Sequence, residues 1–336
     1  GVYIYAQDFD VPGRAATITA ESEIHNDHPE PRYFNYELVI EDRDGKVVRT
    51  FAVGPVTLVD GHTTTVKASA RVTGLNFWSW GYGYLYTVHT ILKVDGQVVD
   101  SVRTRTGFRG TEFAGGMIKL NGRVLQMKGY AQRTSNEWPA LGNAVPPWLS
   151  DFSNGLIVEG NGNLVRWMHV VPSKQDVESC DRVGLIQAMP AGDAESDARG
   201  RQWEQRVEVM RDAIIYNRNN PSILFYEGGN KGISEEHMRE LKALRDRYDP
   251  YGGRAVGARA NRRRPRPGGG RRGQSLSGRR RAGTTCGFRG CAADHRGRRV
   301  PHGARRWRSR DRCAAAPAFG RGVRRVRHLI HCRHRN

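Results

Sequence analysis

Short apolar runs and amphipathic segments alternate along residues 163–248, and this alternation limits the fold more than any other feature of the chain. Residues 163–168 and 184–189 are predicted as buried strands, with a short helix over residues 173–182 between them. Residues 201–217 carry an apolar stripe at helical spacing, so they are predicted as a longer helix. Strands that alternate with helices of these lengths indicate a parallel sheet built from βαβ units.

The next predicted strand, residues 222–226, ends in a polar rim. It runs into Glu227, two glycines and Asn230, and Ser234 is the predicted N-cap of the helix that follows. The glycines remove side-chain bulk and permit positive φ, so the backbone can bend there and a ligand can come close. Functional side chains gather at the carboxyl ends of strands in such folds, so this rim is the candidate site. An ordinary strand end with a solvated glutamate is the alternative.

The first 110 residues show a different pattern, in which period-2 alternation is interrupted by turn signals. Asp-Gly pairs between such runs predict hairpins, because both central residues of a type I′ turn need positive φ. Several short strands of this kind in about 100 residues indicate an immunoglobulin-like β-sandwich. The predicted hairpin turns are Asp44-Gly45, Asp60-Gly61 and Asp95-Gly96, followed by Asn121-Gly122 beyond the sandwich.

Aromatic side chains crowd residues 77–86, where six of the ten positions hold Phe, Trp or Tyr. Exposed aromatics could stack on sugar rings, whereas buried ones would fill a core or a contact between domains. Packing is favoured, because large aromatics at period 2 usually fill a sandwich.

The formal net charge of +20 is concentrated in the last quarter of the chain. Residues 251–336 hold 26 arginines, two aspartates and neither lysine nor glutamate, and the remainder holds 28 basic and 32 acidic residues. A genuine tail of this kind would bind nucleic acid by neutralising phosphates. Its bias towards Arg, Gly, Ala and Pro without repeats instead favours translation of a GC-rich gene in a shifted reading frame. The Cys286, Cys291 and His295 spacing fits no zinc pattern cleanly and is attributed to chance.

Several classes of protein are not expected. No apolar run reaches the roughly 18 residues of a membrane span, so no membrane partner is expected. Cys180 is the only cysteine before the tail, so no disulfide framework is expected, and a periplasmic or secreted location and a cytoplasmic one both fit. The chain opens at Gly1 without a leader and is expected to be a piece of a longer protein. No cofactor or metal ion is expected, and the oligomeric state stays open.

Six motifs follow one another along the chain in an order that resembles glycoside hydrolase family 2, which includes β-galactosidases and β-glucuronidases. The resemblance covers roughly residues 1–256. The motifs are G-L-N-F-W-S-W-G-Y-G-Y-L-Y-T (74–87), I-K-L-N-G-R-V-L-Q-M-K-G (118–129), N-L-V-R-W-M-H-V-V-P (163–172), C-D-R-V-G-L (180–185), R-N-N-P-S-I (218–223) and D-P-Y-G-G-R-A-V (249–256).

The resemblance implies a multidomain β plus α/β architecture. An immunoglobulin-like β-sandwich is expected in residues 1–112 and the amino-terminal half of a TIM (β/α)8 barrel in residues 113–257. Residues 258–336 are expected to be a disordered Arg/Gly/Ala-rich tail. A complete barrel takes about 250 residues, so the barrel is expected to be incomplete, with four strands and the start of a fifth.

The resemblance also implies retaining glycosidase chemistry, which uses two carboxylates about 5–5.5 Å apart. The family's acid/base glutamate directly follows an Asn at the end of the fourth barrel strand. Here Asn230 keeps that Asn, but Lys231 occupies the glutamate position, and a lysine ammonium of ordinary pKa is a poor acid for this role. Glu227 is therefore the candidate acid/base, with a structural Glu227 as the alternative. The family's nucleophile comes from strand seven, and no glutamate follows Glu240 in this chain.

Candidate sugar contacts follow from the same resemblance. Arg166, His169 and Asn230 would lie at the pocket rim, and a structural ion pair is the alternative for Arg166. Trp138 follows the presumed first strand and could stack on a sugar. Asp181 is predicted to be structural.

The expected function is therefore hydrolysis of a β-linked glycoside, such as a β-galactoside or β-glucuronide. The carbohydrate is the expected partner, and this chain alone is expected to be inactive. The alternatives are a non-catalytic carbohydrate-binding remnant and a protein that binds nucleic acid through the basic tail.

Overall fold

The computed structural model describes residues 1–133, 140–142, 144–192 and 196–259. Trp138, the candidate stacking platform, lies outside the described residues. So does the tail from residue 260 onward, with its cysteines and arginines.

Seven strands form two antiparallel sheets that enclose one core, so the predicted β-sandwich is confirmed. One sheet has the order β1-β2-β5 and the other the order β4-β3-β6-β7. Alternate residues of β3, from Phe34 to Ile40, are buried against the facing sheet, as the period-2 pattern requires. The strands are β1 (Val2–Asp10), β2 (Ala15–His25), β3 (Arg32–Glu41), β4 (Val47–Leu58), β5 (Thr63–Val72), β6 (Tyr86–Val94) and β7 (Gln97–Thr106).

Two of the three predicted Asp-Gly hairpins in the sandwich are present. Asp95 and Gly96 have φ of 50° and 78° and join β6 to antiparallel β7, as predicted. The turn between β3 and β4 is a hairpin but lacks positive φ at Asp44, so the type I′ prediction is wrong there. The Asp42 carboxylate accepts hydrogen bonds from the Asp44 and Lys46 amides at 3.0 and 2.9 Å and shapes that turn instead.

The predicted hairpin at residues 60–61 is wrong, because β4 and β5 lie in different sheets. Asn26, just after β2, fixes this crossover. Its side-chain amide donates to the Leu58 carbonyl at 3.1 Å, and its own carbonyl accepts from the Gly61 amide at 3.0 Å. The turn signal therefore marks a bend, and the buried Asn26 holds the two sides of that bend together.

The aromatic segment at residues 77–86 is largely irregular, since β6 begins only at Tyr86. Trp78 is fully buried, and its indole donates to the Asp181 carbonyl at 2.8 Å. The Trp80 indole donates to the Gly162 carbonyl at 2.9 Å. These contacts join the sandwich to the following domain, so the packing interpretation of these tryptophans is confirmed.

A small antiparallel sheet follows the sandwich and contains the predicted hairpin at Asn121-Gly122, where both residues have positive φ. Its strands are β8 (Thr111–Ala114), β9 (Met117–Leu120) and β10 (Arg123–Val124).

The remaining described residues form a five-stranded parallel sheet with helices between its strands, so the predicted α/β region is confirmed. The strands are hydrogen-bonded in chain order, β11-β12-β13-β14-β15. Ser173 and Ser234 cap α2 and α4 by accepting backbone N–H bonds. Among the described helices, none has the length and apolarity to cross a membrane. The elements are β11 (Gly129–Gln132), α1 (Pro147–Glu159), β12 (Leu164–Trp167), α2 (Lys174–Val183), β13 (Ile186–Pro190), α3 (Arg201–Asn217), β14 (Ile223–Glu227), α4 (Glu235–Tyr248) and β15 (Ala255–Gly257).

The sandwich contacts the amino end of β14. The buried Arg109 guanidinium donates to the carbonyls of Pro221 and Ile223, and the Thr106 hydroxyl donates to the Asn219 carbonyl at 2.8 Å. Asn219 also accepts the Ile4 amide at 2.8 Å. The carboxyl end of β14, which carries Glu227, lies at the opposite edge of the sheet.

Candidate active site

β14 is anchored at its start by Asp181. All five residues of β14 are buried between β13 and β15. The Asp181 carboxylate accepts from the Ser222 amide at 3.0 Å and from the Asn220 side chain at 2.5 Å. This is the structural role that was predicted for Asp181. Its neighbour Cys180 is fully buried, and burial raises the pKa of the thiol.

Glu227 and Arg166 form a buried ion pair at the carboxyl edge of the sheet. The Arg166 Nε lies 2.9 Å from each carboxylate oxygen of Glu227, and its Nη2 also contacts Oε1. The Glu227 side chain is only 2% exposed, and that of Arg166 is 23% exposed. Burial raises the pKa of the Glu227 carboxyl, and the favourable contact with Arg166 offsets only part of this shift.

Asn230 joins this pair, because its Oδ1 accepts from Arg166 Nη2 at 3.1 Å. Three of the residues predicted for the site therefore meet, although they come from β12, from β14 and from the loop after β14. The half-buried His169 lies two residues beyond β12, and the exposed Lys231 lies four residues beyond β14.

Two glycines separate Glu227 from Asn230, and close packing explains both. A Cβ on Gly228 would lie 2.8 Å from Leu241 Cδ1, and one on Gly229 would lie 2.6 Å from Ile233 Cδ1. Neither glycine has a positive φ, so the predicted use of left-handed backbone is wrong at this position. The glycines let α4 and its preceding loop approach the end of β14, which is the close approach that the sequence suggested.

A second polar cluster near this edge was missed by the sequence analysis. The Asp197 carboxylate accepts from the His237 ring at 2.6 Å and from the Ser234 amide at 3.1 Å. The His237 ring stacks on Trp203, with ring centroids 3.7 Å apart. Asp197 follows β13, whereas Ser234 and His237 belong to the start of α4, so the cluster ties the two loops together. Asp197 and His237 are 40 positions apart, and no local pattern links them.

This geometry suits recognition of a polar ligand. A guanidinium and an amide beside a buried carboxylate can bind hydroxyl or carboxylate groups, because they offer fixed donors and acceptors. Of the five residues that end the parallel strands, Glu227 is the acidic one. Within the described residues, no group of three or more His, Cys, Asp and Glu side chains could hold a metal ion.

Comparison with known proteins gives one consistent family. Residues 2–109 match the family model Glycosyl hydrolases family 2. A β-glucuronidase of Formosa agariphila is 34% identical over 260 residues, which make up 77% of this chain and 26% of that relative. A β-galactosidase of Psychromonas ingrahamii is 28% identical over 187 residues, 52% of this chain and 17% of its own length.

The fold agrees with these matches. A solved β-glucuronidase from glycoside hydrolase family 2 superposes with a TM-score of 0.72 and 33% identity, over 77% of this chain and 27% of its own. The chain thus spans about a quarter or less of the curated relatives named above. Over the residues that these matches cover, the chain is similar to members of glycoside hydrolase family 2.

Proposed function

We propose that the complete protein hydrolyses β-linked glycosides with retention of configuration, and that the rim of Arg166, Glu227 and Asn230 is part of its sugar site. The observation that supports this most is the convergence of these three side chains at the carboxyl edge of a parallel sheet. The relatives are named as a β-glucuronidase and a β-galactosidase, so a β-glucuronide or a β-galactoside is the proposed substrate.

The parallel sheet is proposed to be the first half of a (β/α)8 barrel. Its five strands follow in chain order, as in such a barrel. Its outer helix α1 carries an exposed apolar stripe of Trp148, Phe152 and Leu156, which are 68%, 55% and 51% exposed. Further barrel units would cover this stripe, as helices of a complete barrel pack against their neighbours.

Two roles are proposed for Glu227, and its contacts favour the first. The ion pair with Arg166 fits a positioning residue that holds the guanidinium and Asn230 in place for a sugar. The pKa raised by burial fits the second role, a general acid that stays protonated until it meets the glycosidic oxygen.

Leaving-group dependence separates the two roles in a protein that completes the barrel. If Glu227 is a general acid, the Glu227→Gln variant loses activity mainly on glycosides with poor leaving groups, because good leaving groups need no proton. If Glu227 is a positioning residue, the loss is similar for all leaving groups and KM rises.

Sugar binding tests the proposed site in the chain itself. We expect saturation-transfer NMR to show that the purified chain binds 4-nitrophenyl β-glucuronide or 4-nitrophenyl β-galactoside. We expect this binding signal to disappear in the Arg166→Met variant. Arg182→Met is the matched control, since Arg182 also pairs with a carboxylate, Asp151, at 2.8 Å but lies on α2. No binding of either sugar, or equal loss in both variants, contradicts the proposed site. If a protein that completes the barrel binds these sugars but releases no nitrophenol, the result would instead support the alternative of a non-catalytic carbohydrate-binding remnant.

A further inference from the structure

The loop between β14 and α4, residues 228–234, places Asn230 beside Arg166 at the rim of the parallel sheet. The Asn230 Oδ1 accepts from Arg166 Nη2 at 3.1 Å. The loop is fixed at its start, where the Gly228 amide donates to the Gly257 carbonyl at 2.8 Å. Only a few residues separate this point from the start of α4, so the position of Asn230 depends on what holds the other end of the loop.

Asp197, in the segment between β13 and α3, holds that other end. Its Oδ2 accepts from the Ser234 amide at 3.1 Å, and its Oδ1 accepts from the His237 ring at 2.6 Å. Ser234 is the N-cap of α4, and His237 lies in the first turn of that helix. Asp197 therefore fixes the point where the loop enters α4, while the buried Leu241 fixes the body of the helix in the core.

The segment that carries Asp197 is itself held by α3. The Ser196 carbonyl accepts from Nη1 of the buried Arg206 at 2.5 Å. In the first turn of α3, Trp203 stacks on the His237 ring with centroids 3.7 Å apart. Asp197 is therefore a bridge between two supported segments, so its contacts can fix the loop relative to the sheet.

The exposure of this bridge indicates what its contacts contribute. The Asp197 and His237 side chains are 34% and 20% exposed. Ion pairs with this much exposure contribute little to overall stability, because water competes for both partners. They can still fix a local geometry, and a site whose polar groups are already in place loses less conformational freedom when a ligand binds.

We propose that Asp197 is a positioning residue, which keeps the Asn230 Oδ1 on Arg166 through the loop and thereby raises the affinity of the rim for a sugar. The effect on sugar affinity rests on the proposed function. The effect on the contact between Asn230 and Arg166 does not, so the two can fail separately.

NMR of the full chain without ligand tests the positioning itself. The measured signal is that of the Arg166 Nε–H group, whose guanidinium contacts Asn230. We expect Asp197→Ala and Asn230→Ala to shift and broaden this signal. Asp151→Ala is the matched control, because Asp151 is 36% exposed and pairs with Arg182 at 2.8 Å, and it should leave the Arg166 signal unchanged. A purely structural Asp197 would leave the signal unchanged as well.

The affinity of the full chain for 4-nitrophenyl β-glucuronide and 4-nitrophenyl β-galactoside measures the consequence for sugar binding. We expect Asp197→Ala to weaken binding about tenfold, as for the loss of one well-placed hydrogen bond. In an Asn230→Ala background we expect Asp197→Ala to weaken binding by less than about twofold, because Asp197 acts through Asn230. If the unaltered chain binds neither sugar while the Arg166 signal moves as expected, the proposed function fails and the positioning of Asn230 by Asp197 is supported.

His237→Phe keeps the test decisive if Asp197→Ala unfolds. A phenyl ring can still stack on Trp203, whereas the hydrogen bond to Asp197 is lost. This variant should shift the Arg166 signal in the same direction by a smaller amount. The proposal is overturned if the Arg166 signal is unchanged in folded Asp197→Ala or His237→Phe. A loss of sugar affinity that is as large with Asn230→Ala as without it overturns the proposal as well.

Discussion

Arg166 and Glu227 are 61 positions apart in the sequence but form one polar unit beneath the rim of the sheet. Burying a carboxylate is costly unless a cation and hydrogen bonds compensate for lost water. Here the guanidinium contacts both oxygens of Glu227, so each partner depends on the other.

We expect Glu227→Gln to lower the free energy of unfolding by about 3 kcal/mol, because it leaves Arg166 without its counter-charge. Urea unfolding followed by fluorescence measures this change. Glu235→Gln is the control, because Glu235 pairs with Arg239 on the exposed surface of α4 and should matter little. Equal effects of the two substitutions would show that the buried pair adds nothing to stability.

Asp197 links stability to pH. Burial disfavours its charged form, but the hydrogen bonds from His237 and Ser234 outweigh burial and hold its pKa below the ordinary value. A carboxyl with a lowered pKa in the folded state contributes stability above its unfolded pKa of about 3.9, and that contribution is lost as pH falls through the folded pKa.

We therefore expect Asp197→Asn to be less stable than the unaltered chain at pH 6, with a difference that shrinks as the pH drops below about 4. Urea midpoints across this pH range measure it. A difference that stays constant with pH would contradict the assigned hydrogen bonds to the Asp197 carboxylate.

At the scale of elements, the predictions were correct where a few neighbouring residues determine the structure. The apolar stripe of α3 and the Ser234 cap of α4 are encoded within a few residues, and both are present. The crossover after β4 depends on Asn26, more than 30 positions earlier, so the turn signal at residues 60–61 could not reveal it. No helix was predicted for residues 147–159, which form α1. The large Trp148 side chain of this helix is exposed to solvent rather than packed in a core.

The same limit applies to the site. The order of motifs predicted that Arg166, Glu227 and Asn230 share a rim, because the strand ends of a parallel sheet meet at one edge. The sequence did not decide whether Arg166 pairs with Glu227, since ion-pair geometry depends on side chains from β12 and β14. The Asp197 cluster could not be predicted from the sequence for the same reason.

The contact between β14 and α4 depends on Gly228. We expect Gly228→Ala to destabilise the chain by about 1–3 kcal/mol, because the new methyl group would meet Leu241 Cδ1 at 2.8 Å and Met238 Sδ at 3.0 Å.

Gly155→Ala in α1 is the matched control for this substitution. A Cβ there meets nothing within 4 Å, so alanine should stabilise the helix by about 0.5–1 kcal/mol. Chemical unfolding of both variants measures the contrast. Gly228→Ala with unchanged stability would mean that α4 does not pack closely on the end of β14.

At the scale of the whole molecule, the sandwich and the parallel sheet share buried polar contacts. The fully buried Asp249 accepts from the hydroxyls of Tyr3 and Tyr226 at 2.9 and 2.8 Å and pairs with Arg254 at 2.7 Å. One carboxylate thus connects β1 of the sandwich to β14 of the sheet.

We expect Asp249→Asn to destabilise both regions together by about 3–5 kcal/mol, because it leaves the buried Arg254 without its counter-charge. Hydrogen exchange should accelerate in β1 as well as in β14. Asp246→Asn, on the exposed face of α4, is the control that should change neither. Faster exchange confined to β14 would show that the two regions are not coupled through Asp249.

Hydrolysis by a hybrid enzyme tests the proposed function most directly. Residues 1–259 would replace the matched segment of the Formosa agariphila β-glucuronidase, which is 34% identical over 260 residues. Release of nitrophenol from 4-nitrophenyl β-glycosides would be measured, with circular dichroism to establish that the hybrid is folded. We expect the hybrid to hydrolyse at least one β-glycoside and Arg166→Met to reduce kcat/KM about tenfold or more, as for the loss of a charge-assisted contact. A folded hybrid that hydrolyses none of these glycosides would contradict the proposal that this segment forms part of a glycosidase active site.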